Sequence, residues 1–199
     1  MSDETRDGGS VGVRADFSES ATESETQDGF SRLLDHYGVE HYREVWFRPM
    51  AAVSVLDTQS NARRVDFYIV GRDLEHGPFN LVVEIKHRRE SGVYKQLRGV
   101  TAQLIGARTG FGWFTQDGVR LPAPDWPVYA DQHTLSGTVP SGGAYRPGAD
   151  QYVMRVWWEN GCGSLFRDHR GLMARVPAQR FNRGKRTPDV KYLDLLVCP

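Results

Sequence analysis

The sequence predicts a mixed α/β protein with a central sheet flanked by helices and a β-rich C-terminal extension. Two apolar runs, Arg64-Val-Asp-Phe-Tyr-Ile-Val and Leu81-Val-Val-Glu-Ile-Lys-His, alternate with a period of two, as strands do. Between Ser91 and Arg108 the period changes, and Val93, Leu97, Val100, Leu104 and Ala107 recur every three or four residues on one helical stripe. Beyond them lie short apolar runs separated by Gly and Pro, the pattern of further strands.

Taken in order, residues 1–27 are rich in Ser, Thr, Gly, Asp and Glu and are expected to be disordered. From Asp28, the positions Phe30, Leu33, Leu34 and Tyr37 mark a short amphipathic helix stopped by Gly38. Tyr42 to Phe47 and Ala51 to Leu56 read as strands separated by Pro49, and Gln59-Ser-Asn-Ala as a turn. The two opening strands follow, with Gly77-Pro78 between them. After the second helix, Gly112-Trp-Phe-Thr-Gln and Gly118-Val-Arg-Leu are short strands, and Pro122 to Asp150 is too rich in Pro and Gly to read. Tyr152 to Trp158, Leu172 to Val176 and Tyr192 to Val197 read as strands, with turns at Gly161-Cys-Gly and Asp168-His-Arg-Gly. The expected division is therefore a tail over 1–27, a core over 28–120 and an extension over 121–199 packed on that core.

With 199 residues, 39% hydrophobic and 25% charged, the chain can bury one substantial core. It has no apolar run of ~20 residues and no basic-then-apolar leader, so a cytoplasmic protein without a membrane span is expected. Cys162 and Cys198 are too few for a disulfide framework or a zinc site, and His36, His41, His76, His133 and His169 show no ligand spacing. The formal charge is zero but unevenly spread. Residues 1–28 carry eight acids against Arg6 and Arg14, a net of about −6, which leaves about +6 on the rest. A mildly basic folded part suits a polyanionic partner.

Charged Glu84 and Lys86 on a strand otherwise made of Val, Leu and Ile are hard to explain by packing, because burying charge without a partner is costly. Alternation puts Glu84 and Lys86 on one side of their strand. On the preceding strand it sets Asp66 and Tyr68 opposite a core-facing Val65, Phe67 and Ile69. Asp66, Glu84 and the backbone carbonyl of Ile85 are candidate ligands for Mg²⁺, with Mn²⁺ as a substitute, and Lys86 would orient or deprotonate a water. Only four of the 25 basic residues are lysines, so a lysine here suggests a need for a compact ammonium. The alternative is structural: a surface salt bridge from Glu84 to Lys86 or Arg88, with Asp66 capping a turn. Arg63, Arg64, His87, Arg88 and Arg89 would form a basic rim for phosphate contact, and Arg183, Lys185 and Arg186 a second basic loop. Trp113, Trp126, Trp157 and Trp158 read as core aromatics before base-stacking ones.

Asp66 followed by Glu84-Ile-Lys86 on the next strand, between two helices, resembles the PD-(D/E)XK restriction-endonuclease-like nucleases over roughly residues 28–120. The resemblance implies a central mixed sheet flanked by helices, with the metal site where two strands diverge. It also implies a supporting glutamine on the following helix, which Gln96 matches, with Gln103 as second choice. Val65 stands where the family often has proline. No acid stands out on the first helix, where Asp35 lies inside and Glu23, Glu25 and Asp28 at or before the start, so one metal is expected. The implied activity is Mg²⁺-dependent DNA cleavage in restriction, repair, junction resolution or phage DNA processing, with a homodimer possible. The other readings are a non-catalytic nucleic-acid- or protein-binding module of the same fold and a hydrolase of small phosphate compounds.

Overall fold

The computed structural model describes residues 17, 22–48, 62–87, 93–136, 155–168, 171–178 and 190–195. Its elements in chain order are α1 (Glu23–His36), β1 (Glu40–Arg48), β2 (Arg63–Asp73), β3 (Gly77–Lys86), α2 (Val93–Arg108), β4 (Phe111–Phe114), β5 (Trp126–Asp131), α3 (Gln132–Ser136), β6 (Gly163–Asp168), β7 (Gly171–Pro177) and β8 (Val190–Asp194). The strands form one eight-stranded sheet in the order β4-β1-β2-β3-β5-β6-β7-β8. β3 pairs in parallel with β5 and β5 with β6, while the other neighbours are antiparallel, so the sheet is mixed. The expected mixed α/β architecture is the one found. No helix among the described residues is long and apolar enough to cross a membrane.

Helices cover both faces. Phe30, Leu33 and Leu34 of α1 and Leu135 of α3 pack with Phe67, Ile69, Leu81, Val83, Ile85, Val128 and Ala130. On the other face, Ala107 of α2 meets Tyr68, Val82 and Trp113, and Val100 and Leu104 meet Tyr129 and Trp157. The alternation on β3 is as expected, since Leu81, Val83 and Ile85 lie in one core and Val82 in the other. On β2 it breaks. Val65 belongs to the α2 side with Tyr68, not to the side of Phe67 and Ile69. The change of face falls at Asp66, and directly across on β1 the ladder skips Glu44, which has φ 53. A non-glycine residue in the left-handed region marks a local bend of the strand.

α1 begins earlier than its apolar spacing suggests. Thr22 accepts the Glu25 N–H at 3.2 Å and the Glu25 carboxylate accepts the Thr22 N–H at 3.0 Å, a capping box that starts the helix at Glu23. Residues 23–27 are therefore helical, and only residues 1–16 and 18–21 of the expected tail lie outside the described residues. Phe17 is 1% exposed, and its ring comes within 3.0 Å of where a Cβ on Gly29 would stand.

Other expectations change as well. The β2–β3 turn is 74–76, so Gly77 and Pro78 already belong to β3 and pair with Asp73 and Arg72. Gly118–Leu121 contributes only a bridge between Phe114 and Arg120. Residues 155–159 are helical instead of extended: Arg155 reaches Glu159 at 2.9 Å on the outside while Trp157 points inward. β5, α3 and β6 were not legible. β5 is buried on both faces and so shows no alternation. Its Pro127 stands before the β6 ladder, which begins at Val128, and so is tolerated near the strand start. The expected strand at 51–56 and the turn at 59–62 fall largely outside the described residues.

If Phe17 anchors the N-terminal segment as its burial indicates, Phe17→Ala should cost about 3–5 kcal/mol in urea unfolding. A change below ~0.5 kcal/mol would mean that this segment does not fold onto α1.

Candidate functional site

The site forms where β2 and β3 part. Their ladder runs from Asp73↔Gly77 to Phe67↔Val83 and stops there, while β3 continues beside β5 as far as Lys86↔Asp131. The freed N–H of Ile85 does not reach a β2 carbonyl but donates to the Asp66 carboxylate at 2.7 Å. Asp66 thus replaces one rung of the sheet with a side chain. The bend in β2 that moves Val65 to the other face also places Asp66 at this opening.

Glu84 is 3% exposed, and one of its carboxylate oxygens meets the Lys86 ammonium at 2.7 Å. The other oxygen is buried and has no hydrogen-bond partner among the described residues. Lys86 also donates to Glu23 of α1 at 2.9 Å. Glu23 is therefore the acid of α1 that reaches these residues, which apolar spacing did not single out. The Thr22–Glu25 capping box was the available signal, because it fixes the first helical residue. The Glu84–Lys86 pair is real, but it is a buried pair and not the surface salt bridge of the structural alternative.

Burial dominates the electrostatics. It pushes Asp66 up to about 6, against the opposing pull of Lys86, the Ile85 N–H and Arg64. Burial, and next the nearby Asp66 charge, push Glu84 up to about 7 despite Lys86. Burial also works against the Lys86 ammonium, but Glu84, Asp66 and Glu23 outweigh it and hold the lysine above its ordinary range. Lys86 keeps its proton throughout the neutral range, and the two carboxyls share the cost of crowding.

Among the described residues no group of three or more His, Cys, Asp or Glu side chains is arranged as a ready cation cage. Two acids instead turn onto Lys86. The donor set nevertheless fits a divalent cation: it holds two hard carboxylates whose negative charge is disfavoured by burial, and a carboxylate oxygen left open.

The other expected residues are placed as follows. Arg63 and Arg64 open β2 and are exposed, and Arg64 pairs with Glu44 at 3.0 Å. Together with Phe47, Val65 and Gln103 they line a cleft of about 290 Å³ beside Asp66. His87 is half-buried just past β3. Gln96 lies in α2, but its side chain is outside the described ones, whereas Gln103, nearly two turns later, faces the cleft. Arg88, Arg89, Arg183, Lys185 and Arg186 lie outside the described residues.

Both carboxyls hold their protons to higher pH in the folded chain than in the unfolded one. Their contribution to stability is therefore full below about pH 4 and is lost as pH rises through about 6 to 7. Asp66→Asn keeps an acceptor for the Ile85 N–H and removes one of these charges. The variant should gain on the order of 2 kcal/mol over the parent at pH 8 in metal-free buffer, with the gain fading toward pH 4. Urea titrations at several pH values check this, and a pH-independent difference would contradict it.

Comparison with protein-family models, with curated proteins and with solved structures gives no match for this chain.

Proposed function

We propose that this protein is a metal-dependent nuclease of restriction-endonuclease-like fold that hydrolyses phosphodiester bonds in DNA. The observation that carries the reading is the meeting of Asp66, Glu84 and Lys86 at the point where β2 and β3 part. Glu23 arrives there from α1, and a buried Glu84 oxygen stays open. Packing alone does not account for two acids and a lysine gathered at an interrupted ladder, with one carboxylate oxygen unsatisfied.

Asp66, Glu84 and the carbonyl of Ile85 would hold Mg²⁺ or Mn²⁺, which when bound supplies charge neutralisation at the phosphate and lowers the pKa of a bound water. The chain's own contribution is positional. The Ile85 N–H fixes the Asp66 carboxylate, so it presents its oxygens without reorganisation. Lys86, which retains its proton, acts as a fixed ammonium that orients water and offsets developing negative charge, and is not a base in this arrangement. Glu23 holds Lys86 from the helix side and is a third acid within reach. Arg63 and Arg64 provide positive charge beside the site for the backbone of the substrate.

A second reading rests on a specific observation. Lys86 already neutralises the acids through two contacts, so the same fold can persist without a metal as a binding module. Calorimetric titration with Mn²⁺ separates the two. The nuclease reading requires heat of binding that is lost in Asp66→Ala and Glu84→Ala, while the binding module requires none.

For the nuclease, Asp66→Ala, Glu84→Ala and Lys86→Ala should each lower Mg²⁺-dependent cleavage of plasmid DNA by roughly 100-fold or more with the circular-dichroism spectrum unchanged. Undiminished cleavage by Glu84→Ala would sink the assignment. Glu23→Gln should produce a smaller loss, because Lys86 keeps its contact with Glu84.

A further inference from the structure

The cleft between the start of β2 and α2 contains cationic and amide groups that lie apart from the proposed metal ligands. Its lining is Phe47, Arg63, Arg64, Val65 and Gln103. Among the described residues no carboxylate pairs with Arg63, and no hydrogen bond satisfies the half-buried Gln103 amide. The Arg63 guanidinium lies over α2, 3.5 Å from where a Cβ on Gly106 would stand, one helical turn beyond Gln103. Arg64 is occupied by Glu44, whose carboxylate also contacts Gln116. Glu44 is the non-glycine residue with positive φ, so its carboxylate is held there at some backbone cost.

Size and lining together indicate the ligand. At about 290 Å³ the cleft is at the small end for enclosing a whole molecule, so it suits one group of a longer chain. Phe47 is 1% exposed, with one face stacked on Trp113 at 4.6 Å, so its ring offers little accessible surface to a base. Two guanidinia and an amide donor match phosphate oxygens. Val65, the neighbour of Asp66, forms part of the wall, and the charge of Arg64 is felt at Asp66. At ~3.3 Å per strand residue, Arg64 and Arg63 stand roughly 7 and 10 Å along β2 from Asp66. That separation is on the scale of neighbouring phosphates along one strand, which the backbone sets wider than the rise along the helix axis.

We infer that this cleft is a backbone-phosphate subsite, in which Arg63, Arg64 and Gln103 hold a phosphate of the strand neighbouring the one at Asp66, and Glu44 occupies Arg64 until that phosphate displaces it. The register of the substrate depends on the proposed nuclease site, but anion binding in the cleft does not.

The test is fluorescence anisotropy of a short fluorescein-labelled DNA duplex on the full chain, in EDTA and over a series of salt concentrations. Arg63→Ala, at an exposed position, should weaken binding about tenfold and reduce the slope of log K against log salt by about 0.9, the value of one phosphate contact. Gln103→Ala should weaken binding several-fold with the slope unchanged, and Glu44→Gln should tighten it several-fold. Unchanged affinity and slope in Arg63→Ala, or no binding by the parent protein at low salt, would overturn the subsite. An unchanged affinity in Glu44→Gln would overturn the placeholder role of Glu44. Arg63-dependent binding by a parent protein that cleaves nothing with Mg²⁺ would keep the subsite and remove the nuclease reading. Cleavage with Arg63-independent binding would do the reverse.

Discussion

The contact between Glu84 and Lys86 is the constraint around which the rest is arranged. An ionised carboxylate at 3% exposure in the centre of a sheet is costly, and a lysine at 17% exposure is costly too. Together at 2.7 Å they offset part of that cost, and removing Lys86 would leave the Glu84 carboxylate buried without its cation. Glu23 adds a second contact and fastens the first turn of α1 to the end of β3. Asp66 adds a third negative charge that Lys86 must also balance, and burial above all raises the titration of both strand carboxyls, with the neighbouring acids adding to it.

Backbone geometry makes room for this charge. β2 and β3 stay paired up to Phe67↔Val83 and then separate, and Asp66 caps the first unpaired N–H of β3. The bend that accompanies the separation passes through two strands: β2 changes face at Asp66, and β1 skips a rung at Glu44 with a left-handed backbone. The same bend that places Asp66 at the opening turns Val65 inward, with Arg63 against α2 and Arg64 on Glu44 of β1. The carboxylate site and the cationic cleft are thus consequences of one local distortion. They lie on consecutive residues of one strand.

The sheet beyond β3 serves to hold that end rigid. β5 pairs with β3 along its whole length, up to Lys86↔Asp131. Asp131 is buried and saturated: it accepts the Tyr129 hydroxyl at 2.8 Å and the N–H groups of His133 and Thr134 at 3.0 and 2.8 Å. With its oxygens filled, Asp131 fixes the turn from β5 into α3 and does not compete for Lys86. β3 therefore keeps its position on the β5 side and is free on the β2 side, an asymmetry that leaves the opening on one edge only. Cores on both faces, from Phe67 to Leu193 on one and Tyr68 to Trp157 on the other, clamp the strands between helices.

The linear order of residues was enough to determine the strand character of β2 and β3, the stripe of α2, and the anomaly of charges at Asp66, Glu84 and Lys86, because each is a local pattern with a period of its own. It determined too that Glu84 and Lys86 share a face, since alternation needs only neighbours. Tertiary structure decided what depends on partners. β5 is legible only when both its faces are seen to be covered, and the helix at 155–159 only when Trp157 is seen to point into a core while Arg155 and Glu159 pair outside. Glu23 joins the site across 63 positions of sequence, through a capping box whose meaning depends on where α1 docks. Val65 departs from simple alternation where the ladder with β1 is interrupted at Glu44, and no periodicity within β2 records that. The charges were written in the sequence, but the gap between two strands that gathers them is a property of the folded sheet.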